Sequence, residues 1–402
     1  MKSEWKIETL ADVCKVVTDG SHYSPHSVQK GKYMVSVKDF TEYGFDFSQC
    51  RQISEQDYEK LQKGGCVPEY QDILVGKDGA RYFEDIILYR QDERPALLSS
   101  IAILRCDESK IMPEFLYYLL KMPSVQKNVK ENYGSGSAIP RIVLKDFRRM
   151  PVQYPDIKTQ EAIVSILQCI DEKIQVNLRI NKNLEQQAQA IFKSWFIDFE
   201  PFGGNMPNNW KNVSVYDLAD YINGAAFKKN EYADTGLPII KIAELKNGIT
   251  DSTQHCCVKK DEKYYIDDRD ILFSWSGNPD TSIDTFIWST GRAILNQHTF
   301  RVVSKYDAPA FTFFLLKYLK PQFTHIASNK QTTGLGHVTV ADLKRLQFSA
   351  NANVIAEFNA LVMPIFDLIY SKYKEIQQLS DLQDTLLPQL MSGELDISAI
   401  DL

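Results

Sequence analysis

No two of the seven cysteines stand at C-x-x-C spacing, and Cys14, Cys50, Cys66, Cys106, Cys169, Cys256 and Cys257 are scattered over 402 residues. An odd, dispersed set excludes a disulfide framework and a paired-cysteine zinc site, and the adjacent Cys256 and Cys257 are poorly spaced to share one metal. No uninterrupted apolar run approaches the roughly 18 residues of a membrane span, and the start Met1-Lys2-Ser3-Glu4-Trp5 lacks an apolar signal core, so no membrane role and a cytoplasmic location are expected. Enzyme signatures are missing too. There is no Asn/Asp-Pro-Pro-aromatic tetrapeptide for amino-methylation, no glycine-rich loop for S-adenosylmethionine and no Walker A loop for ATP. Asp234 with Glu244-Leu245-Lys246 imitates part of a nuclease signature, but the repeat described below aligns Glu244 with Asp39, which no lysine follows. His22, His26, His298 and His337 stand beside no nucleophile motif, which favours hydrogen-bonding or surface roles over catalysis.

What is present is a globular composition, with 44% hydrophobic and 24% charged residues, long enough for two or three domains. The net charge of -6 is unevenly spread. Residues 1–155 hold 22 basic and 22 acidic side chains, 205–350 hold 17 and 15, and 351–402 hold 2 and 8. The acidity is therefore terminal, and the two large segments are near neutral. Near-neutral totals neither demand nor forbid a basic groove.

The dominant feature is an internal repeat of about 200 residues, the length of a domain plus a helix rather than of a solenoid unit. Trp5-Lys6 matches Trp210-Lys211, Asp72-Ile73-Leu74 matches Asp270-Ile271-Leu272, and Pro113–Lys121 matches Pro309–Lys317 with the aromatic positions kept aromatic. Ile142, Leu144, Asp146, Phe147 and Arg149 meet Val338, Val340, Asp342, Leu343 and Arg345, and Ser99-Ser100-Ile101 is aligned with Asn296-Gln297-His298. Segments 33–37, 101–104, 239–242 and 300–303 are short and rich in β-branched residues, hence strands. The two proline-led segments read as helices with proline in the first turn.

Each copy ends in a heptad pattern. Ile163, Ile170, Asn177, Leu184 and Ile191 form one seam over 160–196, with Leu167, Ile174, Asn181, Ala188 and Trp195 beside it. Phe358, Ile365, Lys372, Leu379 and Leu386, with Val362, Ile369, Ile376, Gln383 and Leu390, repeat it. Pro364 and Pro388 are expected to limit the regular part of the second helix to about 365–387. Two such helices satisfy each other best antiparallel, and the interface is assigned to Ile163, Ile170, Asn177 and Leu184 against Ile365, Ile369, Lys372, Ile376 and Leu379. The expected architecture is mixed α/β (α+β): two pseudo-symmetric domains, 1–155 and 201–350, separated by an antiparallel coiled coil of the helices within 156–200 and 351–402.

This organisation resembles the specificity subunits of type I restriction-modification systems over essentially the whole chain. Asp19-Gly20-Ser21-His22-Tyr23-Ser24-Pro25 is similar to the family's Asp-Gly-Thr-His-x-x-Pro element, with Ser21 in place of threonine. Leu144-Lys145-Asp146-Phe147, Gln160-Glu161-Ala162-Ile163 and Ser194-Trp195-Phe196-Ile197-Asp198-Phe199 also resemble family wording. The second copy departs, with Asn223-Gly224-Ala225-Ala226-Phe227 and no Gln-Glu pair at Ile355.

The resemblance implies a non-catalytic DNA-recognition subunit whose two target recognition domains each bind half of a bipartite site. It implies double-stranded DNA, two methyltransferase subunits and two restriction subunits as partners. No cofactor is expected in this chain; S-adenosylmethionine, ATP and Mg belong to the partner subunits. Base and phosphate contacts need polar side chains on exposed loops. The candidates are Lys77, Arg81, Ser135, Ser137 and Arg141 in the first copy, and Trp275, Ser276, Asn278, Lys330, Gln331, Thr332 and His337 in the second. The rival readings are a non-catalytic two-domain protein–protein adaptor and a self-contained restriction-methylation enzyme, the latter needing a catalytic domain that has no counterpart here.

Overall fold

The structure, a computed structural model, describes residues 5–41, 43–134, 140–250, 252–331 and 334–395. The chain divides into two compact units, the first built from 1–171 with 382–402 and the second from 172–381.

In unit one, strands β1 (Cys14–Asp19), β2 (Ile73–Gly76), β3 (Ile86–Leu88) and β4 (Ile101–Cys106) form an antiparallel sheet in the order β1-β4-β2-β3. Its central strands are buried, as their runs of Ile, Leu and Val require. Helix α1 (Pro113–Lys121) shares a core with them through Phe115, Leu116 and Leu120. A pairing of Lys6–Thr9 with Pro151–Tyr154 joins the start of the domain to its end.

From there the chain enters the long helix α2 (Ile157–Phe196), whose first part belongs to unit one. The entry is fixed by Gln160, which is completely buried. Its amide donates to Lys110 O at 3.0 Å and Pro155 O at 2.9 Å, and accepts from Met112 N at 2.8 Å. The glutamine of the Gln-Glu signature is thus a structural clamp on the residue preceding α1.

Unit two repeats the plan. Strands β5 (Ala219–Asn223), β6 (Ile271–Ser274), β7 (Asp284–Ile287) and β8 (Thr299–Ser304) lie in the order β5-β8-β6-β7, antiparallel throughout. Helix α3 (Pro309–Tyr318) packs with them through Phe311, Phe313 and Phe314. Lys211–Ser214 pairs with Gln347–Ala350 as Lys6–Thr9 does with Pro151–Tyr154. Both units also carry short parallel pairings, Met34 beside Ala96 and Ser21 beside Leu98 in one, Ile239 beside Ile294 and Ala225 beside Asn296 in the other. With Ile355 in place of the glutamine, Asn359 takes over the clamp, accepting from Ala310 N at 3.0 Å and Phe311 N at 3.2 Å.

The corner before the matched Asp-Ile-Leu strands is likewise duplicated. Asp72 accepts from Glu69 N at 2.7 Å and Asp270 from Asp267 N at 2.9 Å, while Gln71 and Arg269 adopt φ of 67° and 77°. Arg105 binds Asp72 through Nε at 2.8 Å and Nη2 at 2.9 Å, and Arg301 approaches Asp270 at 3.9 Å. The retained aspartate is therefore a turn and ion-pair residue.

The last helix, α4 (Ala352–Met391), corrects the expectation set by its prolines: it is unbroken over 40 residues, as long as α2. Pro364 and Pro388 both face solvent, where water can take the carbonyls that a proline leaves without a donor. In unit one, Ile163, Val164 and Leu167 at the start of α2 share a core with Leu387, Leu390 and Met391 at the end of α4, and Gln383 donates to Asp171 at 2.8 Å. In unit two the end of α2 meets the start of α4, with Phe196 and Phe358 ring centroids 5.1 Å apart and Tyr373 bonded to Glu185 at 3.2 Å. Within each unit the two helices run antiparallel.

The seam drifts where the helices enter the domain core. Phe192, Phe196 and Phe366 are buried there, and Ile191, Trp195 and Ile365 are only half-buried. A straight helix at 3.6 residues per turn slips about 20° per heptad, and this end is received by Phe311 and Phe348 of the domain as well as by Phe358 of α4. Of the other assigned interface residues, Ile163, Ile170, Asn177 and Ile369 are buried, and Leu184, Lys372, Ile376 and Leu379 half-buried. Among the described residues α4 is also the one helix long and apolar enough to cross a membrane. Counting uninterrupted runs missed it, because isolated polar residues such as Asn359 break the run without lowering the average much. Its Ile355, Phe358, Val362, Phe366 and Ile369 are buried in the core of unit two.

Candidate nucleic-acid interface

At one end of each central sheet the same backbone frame recurs. Gly20 N donates to Ile101 O at 3.0 Å and Ser21 N to Leu97 O at 2.7 Å. In unit two Gly224 N donates to Thr299 O at 3.1 Å and Ala225 N to Leu295 O at 2.8 Å. The strands approach so closely that a Cβ on Gly20 would lie 2.4 Å from Leu97 O, and one on Gly224 would lie 2.2 Å from Asn296 O, so only glycine fits either place. Asn223-Gly224-Ala225 is therefore the counterpart of Asp19-Gly20-Ser21 despite its different wording. The frame also moves the alignment of the neighbouring loop by one residue: Ser99 N donates to Ser21 O and Gln297 N to Ala225 O, which pairs Gln297 with Ser99 and Thr299 with Ile101.

The loops after β2 and β6 stand beside this frame. Ile142 N donates to Lys77 O at 3.0 Å, and Val338 N to Trp275 O at 2.8 Å. Asp78 bridges to Arg141 as Ser276 pairs with His337. Four sequence candidates in unit one and two thus fall into two equivalent pairs, Lys77 with Arg141 and Trp275 with His337, around two equivalent strand ends.

The side chains differ sharply. In unit one Lys77 Nζ lies 2.8 Å from Asp19 Oδ2, each side chain 9% exposed, and His22 Nε2 sits 3.3 Å from the same oxygen with its ring largely in solvent. In unit two Trp275 Nε1 donates to Asn223 Oδ1 at 3.3 Å, and its indole lies 5.6 Å from the His298 ring and 5.7 Å from Phe300. Beside His298, a cavity of about 300 Å³ is lined by Lys241, Ile242, Ala243, Asn296 and Gln297.

The remaining candidates have mixed surroundings. Arg81 is exposed and paired with Glu84 at 3.6 Å and Asp85 at 2.7 Å. Asn278 caps the short helix Pro279–Ser282, accepting from Asp280 N and Thr281 N, so its carbonyl oxygen is committed. Lys330 pairs with the buried Asp342, which also caps Val340–Arg345. Gln331 is exposed and donates to Gly334 O at 3.3 Å. Ser135, Ser137 and Thr332 lie outside the described residues. Glu244 of the nuclease-like string accepts from Lys241 N at 2.9 Å, as Asp39 does from Ser36 N at 2.8 Å; both are helix caps. The segment Asn296-Gln297-His298 stands out in the sequence as a loop that differs between the copies, whereas Asp19 and Asn223 do not stand out as members of these groups, and the signal that could have found them is the repeat itself, read through the glycines.

Comparison with known proteins decides the family. The type I restriction modification DNA specificity domain matches residues 2–186 and again 207–350, once for each copy of the repeat. The chain belongs to this family. It is 25% identical to the type I restriction enzyme MjaIX specificity subunit of Methanocaldococcus jannaschii, over 72% of this chain and 71% of that one. It is 21% identical to the HindI specificity subunit of Haemophilus influenzae, over 98% and 100%. The fold is similar to the crystal structure of the type I restriction-modification S subunit from M. genitalium, with a TM-score of 0.51 at 14% identity over 96% of each chain. As a specificity subunit the protein is a DNA-recognition component without a catalytic role, of a family that assembles into restriction-modification complexes with other subunits. The adaptor reading is not favoured.

Proposed function

We propose that each unit binds one half of a bipartite double-stranded DNA target, and that the chain carries two methyltransferase subunits and, in a restricting complex, two restriction subunits. S-adenosylmethionine, ATP and Mg then reside on those partners, and the assembly works in the cytoplasm. One observation carries the reading: two sheets of identical strand order hold identical backbone frames at their ends, and the frames carry different side chains. A shared scaffold with divergent polar loops is what reading two unlike half-sites requires.

Partner docking has its own support. Leu361 and Leu368, 49% and 42% exposed, stand seven residues apart on one face of α4, and Val176 and Leu178 are exposed on α2 within the same unit. Of these, the Leu361 and Leu368 pair shares a helix face, the kind of exposed apolar surface that suits a protein contact better than a DNA contact.

The test is a hybrid in which residues 207–350 are replaced by the same segment of a relative, expressed with the methyltransferase subunit and read by methylome sequencing. One half of the methylated site should change and the other persist. Simultaneous change of both halves rejects one reader per unit.

A further inference from the structure

The two sheet ends share a construction that the candidate residues alone do not reveal. In each unit a single side-chain bond ties the end of the edge strand, β1 or β5, to the loop after β2 or β6, from Lys77 to Asp19 in one and from Trp275 to Asn223 in the other. The four residues are equivalent through the backbone bonds of their neighbours, so the tie is a fixed part of the frame while its chemistry is exchangeable.

In unit one the tie is a buried ion pair. Lys77 is 7% exposed and its ammonium is spent on Asp19, so it has little charge or surface left to offer a base. In unit two it is a neutral indole-to-amide bond whose ring is wedged against Phe300 and His298. Both loops turn through a glycine at positive φ, Gly79 at 98° and Gly277 at 120°, where glycine is free of the strain a side chain would bring and leaves the loop more conformational freedom for the tie to restrict. Around each tie stand polar side chains that are exposed: His22 and Arg141 in unit one, Gln297, His298 and His337 in unit two.

We infer that Lys77–Asp19 and Trp275–Asn223 are positioning pairs that set the two reading loops, and that DNA is touched by the exposed residues around them, His22 and Arg141 in one unit and His298 and His337 in the other. This rests on the half-site reading above. It moves Lys77 and Trp275 from contact to support, and adds His22 and His298 as contacts. The two units also differ in kind. The first brings the Arg141 cation to the DNA, which suits phosphate or guanine. The second brings imidazoles and an amide beside an aromatic floor, which suits base edges.

The experiment uses the complex with its methyltransferase subunits, measuring affinity for the target duplex against salt and half-site preference by methylome sequencing. Arg141→Ala should weaken binding about 5- to 100-fold through one half-site, or reduce the salt slope by about one if the contact is to phosphate. His298→Ala and His337→Ala should relax base preference in the other half only. Lys77→Met strands the Asp19 carboxylate and should lose recognition of the first half-site, whereas Asp19→Asn with Lys77→Met restores the charge balance and should recover affinity to within about threefold of the parent.

Unchanged affinity and preference in the Arg141, His298 and His337 variants overturn the contact assignment. A double variant no better than Lys77→Met alone overturns the positioning pair. A parent complex that methylates no bipartite site overturns the half-site reading and this inference together, whereas a parent that reads normally beside silent variants overturns this inference alone.

Discussion

Two asparagines in the middle of α2 carry a measurable cost. Asn177 is completely buried and Asn181 2% exposed, and neither amide has a hydrogen-bond partner for its oxygen or its nitrogen among the described residues. Lys372, the polar residue at the matched seam position of α4, reaches along its own helix to Glu375 Oε2 at 2.6 Å. Each unmade amide bond in an apolar seam costs about 1–3 kcal/mol. Leucine has the same branching as asparagine and would gain about 1–2 kcal/mol of apolar burial instead. Some of that is returned because the two methyl groups are larger than the amide they replace. The double variant Asn177→Leu with Asn181→Leu should therefore be more stable by about 2–4 kcal/mol, which for a unit of this size corresponds to a rise in Tm of about 5–15 °C. Calorimetry and urea unfolding of the full chain would measure it. A lower Tm for the double variant would refute the reasoning, since it would mean that the amides are satisfied after all. A cost retained at these positions fits the role of polar seam residues in fixing helix register.

Two other outcomes follow from side chains in the cores. Gln160→Leu should destabilise by about 2–4 kcal/mol in urea unfolding, because it removes the partner of three backbone groups, Met112 N, Lys110 O and the buried Pro155 O. Burial pushes the Asp284 carboxyl up, but the charge of Lys317 at 3.2 Å and the hydrogen bond from Lys320 outweigh it, so it titrates below its ordinary value. A carboxylate depressed in the folded state stabilises fully above its unfolded pKa of about 3.9 and loses that stabilisation as pH falls through the lower folded value. Asp284→Asn should thus lower Tm at pH 7 and flatten its fall below about pH 4; parallel curves for parent and variant would dismiss the effect.

The sequence made the repeat, the strand-and-helix content and the antiparallel helix pair legible because each depends on patterns that burial enforces. Ile73-Leu74 and Ile271-Leu272 must be apolar to sit at the centre of a sheet, and the α1 and α3 rows must be aromatic or aliphatic to cover it. The length of α4 was not legible, since a proline's effect depends on which way its helix face points. Clamping was hidden for a related reason: Gln160 and Asn359 perform one task from positions one turn apart in register, so the alignment showed a missing glutamine where the fold kept the bond.

The interface was legible only as far as residue type carries. Exposed polar side chains on loops are the residue type that the proposed half-site reading calls for, but type does not distinguish Asn278, committed to a helix cap, from His337, which is exposed beside a strand end. What separates them is the glycine frame. Gly20 and Gly224 admit no side chain because another strand's carbonyls lie where a Cβ would be, and that contact registers Asp19 with Asn223 and Lys77 with Trp275. Once those pairs are aligned, variation at them is informative because the surrounding backbone is held constant. An ion pair replaced by an indole and an amide at one fixed geometry changes the charge and shape of a loop without changing its scaffold. Under the proposed half-site reading, the two units of this chain differ in what they recognise without any change in the sheet, through exchange of a tie and of the few exposed residues it presents.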